Sequence, residues 1–340
     1  DRYYCLLSNA HKGIQLRMNI RLQPSGQMIE TLLGETIMDA ARRIGLDVPH
    51  SCRNGNCHIC TAQLISGSVR QSDEVLEAGD ILTCLAEPLS DGELHWEGVL
   101  AVNELPRVKV ACQLVSVKPL GADVFAVHLR LPAGKEVRYH AGQYLLLERE
   151  NGEINAFSIA SAPQQGRELE LHILARDNAA VDLLKYIQKE GVAQVQMPFG
   201  DVHLVGADER PLLLIAAGTG LAQVQSLVEH CRATGFSLPI HVYWGSRLAD
   251  DFYAFEALPA WQDMSNLHFH QIVSEDTGWT GRSGLLYEAV CSDIKHLTDY
   301  RVIACGSPAM VYGTFDALVA AGMQPEQMLA DAFAYAPRPK

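Results

Sequence analysis

The fold class read from the sequence is multidomain, α+β and α/β: a small α+β unit, then an antiparallel β-barrel, then a doubly wound parallel sheet. Three stretches carry that expectation. Residues 52–84 space four cysteines as C-x4-C-x2-C…C, residues 108–196 hold short alternating strands between Gly and Pro turns, and residues 211–231 run strand, Gly-rich turn and helix. Short strands at such intervals are the pattern of a barrel, and strand–helix alternation that of a parallel sheet. A chain of 340 residues, 48% hydrophobic and free of low-complexity runs, has room for two or three cores. The boundaries expected are 18–100, 105–207 and 208–336.

Composition excludes several classes. The formal charge of −13 argues against nucleic acid as a partner. No apolar run approaches the length of a membrane span. The opening Asp1-Arg2-Tyr3-Tyr4-Cys5 shows no basic-then-apolar leader, so a cytoplasmic location is expected. Met18 begins a strand-like run, and residues 1–17 before it read equally as an extension or a processed remnant. Nine cysteines in such a chain point to ligands and buried thiols, not disulfides. Cys5, Cys112, Cys231 and Cys291 are expected as small core residues.

In the first unit, 18–22 and 27–32 are expected as strands around Pro24-Ser25-Gly26, and 36–44 as a helix stopped by Gly45. The loop Cys52-Arg53-Asn54-Gly55-Asn56-Cys57-His58-Ile59-Cys60 follows, then a strand at 61–65, with Cys84 later. Cys52, Cys57, Cys60 and Cys84 at this spacing suit a plant-type [2Fe–2S] cluster, in which each iron takes two cysteine sulfurs. Gly55 permits the tight turn that brings peptide N–H groups to the sulfurs. The alternatives are a structural zinc site, which more often uses two short C-x-x-C knuckles, or two disulfides.

In the second unit, strands are expected at 108–117, 124–131, 143–147, 169–173 and 192–196. Ala141-Gly142-Gln143-Tyr144 precedes Asn155-Ala156-Phe157-Ser158 within it. In the third, 211–216 is a strand that turns through Gly218, Thr219 and Gly220 into a helix at 221–231. The free N–H groups and dipole at such a helix start make an anion site. Strands at 240–244 and 301–305 then end in Gly245-Ser246-Arg247 and Cys305-Gly306-Ser307-Pro308. No acid–base dyad, nucleophilic triad or metal triad stands out.

These motifs resemble the ferredoxin–NADP reductase superfamily, in its three-part form with an N-terminal ferredoxin. The order of units is similar to that of oxygenase reductase components and CDP-6-deoxy-glucoseen reductases, and residues 141–336 resemble NAD(P)H-flavin reductases. The resemblance implies a β-grasp ferredoxin, an antiparallel β-barrel flavin domain and a doubly wound parallel-sheet nicotinamide domain. It implies an enzyme that passes electrons from NAD(P)H through flavin to the cluster and on to an electron-accepting protein component, such as an oxygenase or dehydratase. An NAD(P)H:flavin reductase is the alternative, and a non-enzymatic redox module a third. The implied cofactors are a [2Fe–2S] cluster, FAD (FMN as the alternative) and NADH (NADPH as the alternative).

By the same resemblance Tyr144, Phe157, Ser158, His172 and Ile173 border the flavin, with the Ser158 hydroxyl toward N5. Asn155 stands where the family carries the arginine of Arg-x-(Tyr/Phe)-(Ser/Thr), which removes a fixed charge for the flavin phosphate. Gly218, Thr219, Gly220, Ser246, Arg247, Gly306 and Pro308 hold the nucleotide, Cys305 lies near the nicotinamide, and Phe333 covers the flavin. Asp250 and Asp251, just after Arg247, disfavour a 2′-phosphate and so favour NADH. Residues 18–100 carry five arginines, no lysine and twelve carboxylates, either a solvated face or a docking face for a basic acceptor.

Overall fold

The computed structural model describes residues 17–102, 104–134, 137–204 and 210–338. Cys5 and the boundary expected at 207/208 lie outside the described residues. The chain divides into two compact units between Pro106 and Arg107.

The first unit is a five-stranded mixed sheet in the order Met28–Thr31, Met18–Gln23, Gly92–His95, Thr61–Ser66, Gly79–Leu82. Met18–Gln23 and Gly92–His95 are parallel and the other neighbours antiparallel. Alternation sends Ile20, Leu22, Leu64 and Leu94 into the core, where the helix Ile37–Arg43 adds Ile37, Met38, Ala40 and Ala41. That helix starts because Thr36 Oγ1 accepts the N–H of Asp39 at 3.2 Å. Arg42 and Arg43 in its last turn complement the dipole. A smaller antiparallel sheet of Glu74–Leu76, Val69–Gln71 and Ala86–Pro88 was not expected from the sequence. Its strands are three residues long, too short for alternation to show.

The second unit joins two sheets. The first is antiparallel, in the order Ile154–Ser158, Tyr144–Glu148, Val192–Phe199, Val108–Gly121, Val124–Arg130, Glu168–Leu174. Its two ends meet where Ala160 N donates to Glu170 O at 2.8 Å, which closes it toward a barrel. The helix Asn178–Glu190 packs on it through Leu183, Leu184 and Ile187. Sequence reading passed over this helix, although Asp177 caps its start and Gly191, left-handed at φ 67°, ends it.

The second sheet is parallel throughout, in the order Arg282–Ser283, Leu267–Val273, Ile240–Ser246, Leu212–Ala217, Arg301–Cys305, Met328–Leu329. Leu221–Thr234 covers one face, and Leu286–Asp293 with Pro308–Ala320 covers the other. The doubly wound expectation holds. Strand order reverses between Leu212–Ala217 and Arg301–Cys305, and ligands bind such sheets outside the carboxyl ends of strands at that point. No helix among the described residues is long and apolar enough to cross a membrane.

Candidate functional site

In the first unit the four cysteines come together as two pairs. Cys57 N donates to Cys52 Sγ at 3.3 Å, and Cys60 Sγ lies 3.4 Å from Cys84 Sγ. Thr83 links the second pair, since its N–H and Oγ1 both donate to Cys60 O, at 3.2 and 2.9 Å. Arg53 and His58, each directly after a cysteine, take left-handed backbone at φ 57°, and Gly55 does so at φ 83°. These turns point peptide N–H groups inward. The N–H groups of Asn54, Cys57 and Asn56, with the Cys57 thiol second in weight, bring the Cys52 thiol down to about 7. Burial, then the Cys60 thiol, pushes Cys84 up to about 11. Gly55 is favoured there because its φ of 83° is rarely adopted by residues with a side chain, and an added Cβ would also press 2.6 Å onto Leu85 Cδ1.

Two pairs of sulfurs fit a two-iron cluster, which takes two cysteines per iron. They fit a mononuclear site poorly: among the described residues no three His, Cys, Asp or Glu side chains converge on one metal position. They are not disulfides: all four cysteines are free, and the 3.4 Å between Cys60 Sγ and Cys84 Sγ is far beyond an S–S bond of about 2.05 Å.

On the barrel, register puts Tyr144 opposite Ser158, Leu145 opposite Phe157 and Leu147 opposite Asn155. Tyr144 stacks on Phe199 with ring centroids 5.7 Å apart, and the Arg107 guanidinium sits 4.8 Å from the centre of the Phe199 ring. Gly200, left-handed at φ 94°, lets Tyr144 and Asp331 approach, for a Cβ there would be 3.0 Å from each. Asp331 Oδ2 accepts from Gln223 Nε2 at 2.8 Å; burial raises its carboxyl to about 6. Asn155 Oδ1 is buried with no partner among the described residues, an acceptor open to a donor such as a ribityl hydroxyl. Tyr144 and Ser158, on one face of the sheet, suit a flavin ring, whereas Phe157 and Asn155 share the inner face with the core residues Leu145 and Leu147, which corrects the expectation that Phe157 borders the flavin.

His172 and Ile173 do not present themselves in the same way. Ile173 is 1% exposed within the barrel core. His172 is buried between Tyr253 Oη at 3.0 Å and Glu170 Oε1 at 2.9 Å. Burial pushes the Glu170 carboxyl up, but the His172 hydrogen bond and the charges of His172 and His128 hold it below its ordinary value. This network spans the barrel and the loop after Ile240–Ser246.

At the strand-order reversal lies a cleft of about 620 Å³. Gly218, Thr219, Ser246 and Arg247 line it, as expected residues for a nucleotide, together with Ser307 and Met310. Trp244 Nε1 holds the Gly218 carbonyl at 3.0 Å. Gly220, Gly306 and Pro308 do not line it. Gly220 presses on the neighbouring strand end, where a Cβ would come 2.3 Å from Cys305 O; one on Gly306 would come 2.6 Å from Met310 Cε. Cys305 is 3% exposed, and burial pushes its thiol well up, so it is a neutral packing group here. Phe333 packs between Tyr312 and Phe315, at 5.4 and 5.5 Å. Arg176, Tyr253 and Leu174 also line the cleft; sequence reading missed them, because only the packing of barrel on parallel sheet brings them there.

Cys112 and Cys231 are core residues, whereas Cys291 is only partly buried.

Comparison with known proteins agrees with this geometry. A 2Fe-2S iron-sulfur cluster binding domain matches residues 20–89, and an oxidoreductase NAD-binding domain matches 214–315. The CDP-6-deoxy-L-threo-D-glycero-4-hexulose-3-dehydrase reductase of Yersinia pestis is 32% identical over 327 residues, covering 94% of this chain and 99% of that protein. The NAD(P)H-flavin reductase of Vibrio harveyi is 34% identical over 236 residues, 66% of this chain and 99% of its own. Among solved structures, the Amycolatopsis cytochrome P450 reductase GcoB superposes with a TM-score of 0.60 at 24% identity, covering 92% of this chain and 98% of that one.

Proposed function

The chain belongs to the ferredoxin–NADP reductase superfamily, among the reductases that carry an N-terminal [2Fe–2S] domain, and from that membership we propose how its residues divide the work. The protein is an NAD(P)H-dependent iron-sulfur flavoprotein reductase. It passes electrons from NAD(P)H by way of FAD to the [2Fe–2S] cluster and on to an acceptor component. Residues 18–100 serve as the cluster domain, 105–207 as the flavin domain and 208–336 as the nicotinamide domain.

Cys52 with Cys57 ligates one iron, and Cys60 with Cys84 the other. Gly218 and Thr219, at the start of the helix Leu221–Thr234, offer N–H groups to the nucleotide diphosphate. Ser246 and Arg247 meet the adenosine ribose. Tyr144 walls the flavin site, and the Ser158 hydroxyl, on the same face, hydrogen-bonds near the atom that takes up hydride; Phe157, paired with Leu145, packs instead against the barrel core. A bound flavin takes a hydride and releases electrons singly, the conversion needed between a two-electron donor and a one-electron cluster. The chain's own part is to hold and orient the partners and to keep water from the transfer.

The acceptor is, on this reading, the oxygenase or dehydratase component of a larger system. The observation that carries the assignment is the presence of two cysteine pairs and a nucleotide cleft on one chain. Anaerobic titration of flavin-loaded protein with NADH tests it: the cluster's visible and paramagnetic signals should change as NADH is consumed. NADH oxidation that never reduces the cluster would reject the relay. Asn155, in place of the family's arginine, favours a second reading, a reductase that releases reduced flavin. A flavin-to-protein ratio near zero, with NADH oxidation dependent on added flavin, would support that one.

A further inference from the structure

Glu275 was not singled out by any sequence motif, yet it holds the arginine at the rim of the cleft. It follows the lining residue Ser274, just past the strand Leu267–Val273, and its N–H donates to Arg247 O at 2.9 Å. Its Oε2 accepts from both Arg247 Nε at 2.9 Å and Arg247 Nη2 at 2.7 Å. The guanidinium edge is thus spent on one carboxylate oxygen, and Oε1 of Glu275 accepts no hydrogen bond from a described residue. Asp251, the other carboxylate at this rim, is already engaged. It pairs with Arg176 and its Oδ2 accepts from Leu248 N at 3.2 Å. Asp250 is exposed and does not line the cleft.

We propose that Glu275 is the residue that selects between NADH and NADPH, by occupying Arg247 and presenting a carboxylate at the ribose 2′ position. The inference rests on the reading of this cleft as the nucleotide site. Arginine is a strong binder of phosphate because its planar fork matches two oxygens at once. Here the Nε–Nη2 edge of that fork is taken by Glu275, so a 2′-phosphate reaching the remaining Nη1 side would lie beside a carboxylate. A 2′-hydroxyl meets no such conflict, since it can donate to the open Oε1. The two nucleotides therefore differ in one contact of opposite sign. Arg247 and Glu275 are also locked by backbone, because Glu275 N to Arg247 O and Ser274 N to Ser246 O, at 2.9 and 3.1 Å, keep the strand ends in register. The remaining charged groups at the rim, Arg176 and Asp251, satisfy one another.

The test uses the full-length protein and two probes, 5′-AMP and adenosine 2′,5′-bisphosphate, titrated by calorimetry, with steady-state kcat/KM for NADH and NADPH beside them. Glu275→Gln keeps the shape and removes the charge. It should tighten the bisphosphate by roughly tenfold, the effect of removing one like charge near a surface, and move 5′-AMP by less than about threefold. The NADPH-to-NADH ratio of kcat/KM should rise with it, through KM and not kcat. Adding Arg247→Ala to Glu275→Gln should erase the gain. If Glu275→Gln leaves the ratio of the two probes unchanged while Arg247→Ala alone weakens both, Glu275 is not the selector but the cleft is still the nucleotide site. If neither variant alters either probe, the adenosine end lies elsewhere, and the reading of the cleft falls with the inference.

Discussion

Sγ of Cys60 lies 3.4 Å from Sγ of Cys84, although 24 residues separate them in the chain. Thr83 makes the approach: its N–H and hydroxyl both bond to the Cys60 carbonyl, and its own carbonyl accepts the N–H of Met38 at 3.0 Å. The late cysteine is therefore fixed by the strand after the loop and by the helix behind it.

Replacing Cys57 with Ser should remove the visible absorption and the reduced-state paramagnetic signal of the cluster. Hydride transfer from NADH to flavin, followed with ferricyanide as acceptor, should be retained. A variant with an unaltered cluster spectrum would remove Cys57 from the ligand set.

Asn155→Ala should weaken flavin binding by about 1 kcal/mol, a roughly fivefold loss, since a hydroxyl of the bound flavin would lose its amide-oxygen acceptor. Fluorescence quenching on titrating flavin into the stripped protein measures it. Equal or tighter binding would mean that the unpartnered Asn155 Oδ1 faces no flavin atom.

Gly220→Ala should destabilise the second unit by about 1–3 kcal/mol, the usual cost of an added group in a packed site. The new Cβ would come 2.3 Å from the Cys305 carbonyl oxygen, and backbone yields less readily than a side chain. A lowered urea midpoint, followed by Trp fluorescence, is the expected readout; an unchanged midpoint would count against the close approach.

Asp331 gives a pH dependence with a definite sign. Burial raises its carboxyl from an ordinary 3.8 to about 6, so the folded protein holds this proton more tightly than the unfolded chain does. Stability from this group is complete below pH ~4 and is lost as pH rises through ~6, in total about 3 kcal/mol. Asp331→Asn should abolish that slope and be more stable than the parent at pH 7, with the two converging near pH 4. Denaturant midpoints across that range measure it. A parent that is no less stable than the variant at pH 7 would contradict the buried charge.

Much of the architecture was already legible in the chain. The cysteine spacing at 52–84, the period-two strands between Gly and Pro turns, and the strand–Gly-Thr-Gly–helix at 212–234 are local patterns, and local patterns follow from backbone sterics and side-chain periodicity. So the order of a Cys-rich α+β unit, a barrel and a parallel sheet could be read without coordinates. The short strands at 69–88 and the helix Asn178–Glu190 do not stand out in the chain, the first for want of length and the second because only Leu183, Leu184 and Ile187 of its residues are buried, a short apolar stripe between polar faces. What the chain could not disclose is which distant groups meet. Sequence motifs put Arg247 at the nucleotide and Phe333 over the flavin; the fold puts Glu275 on Arg247, Tyr312 and Phe315 on Phe333, and Asp331 beside Tyr144 and Gly200. Those contacts join residues 28 or more positions apart, except Phe333 with its own neighbouring helix, and no periodicity encodes them. They are decided by strand order and by the packing of the barrel against the parallel sheet, because charge and desolvation act through space and not along the chain.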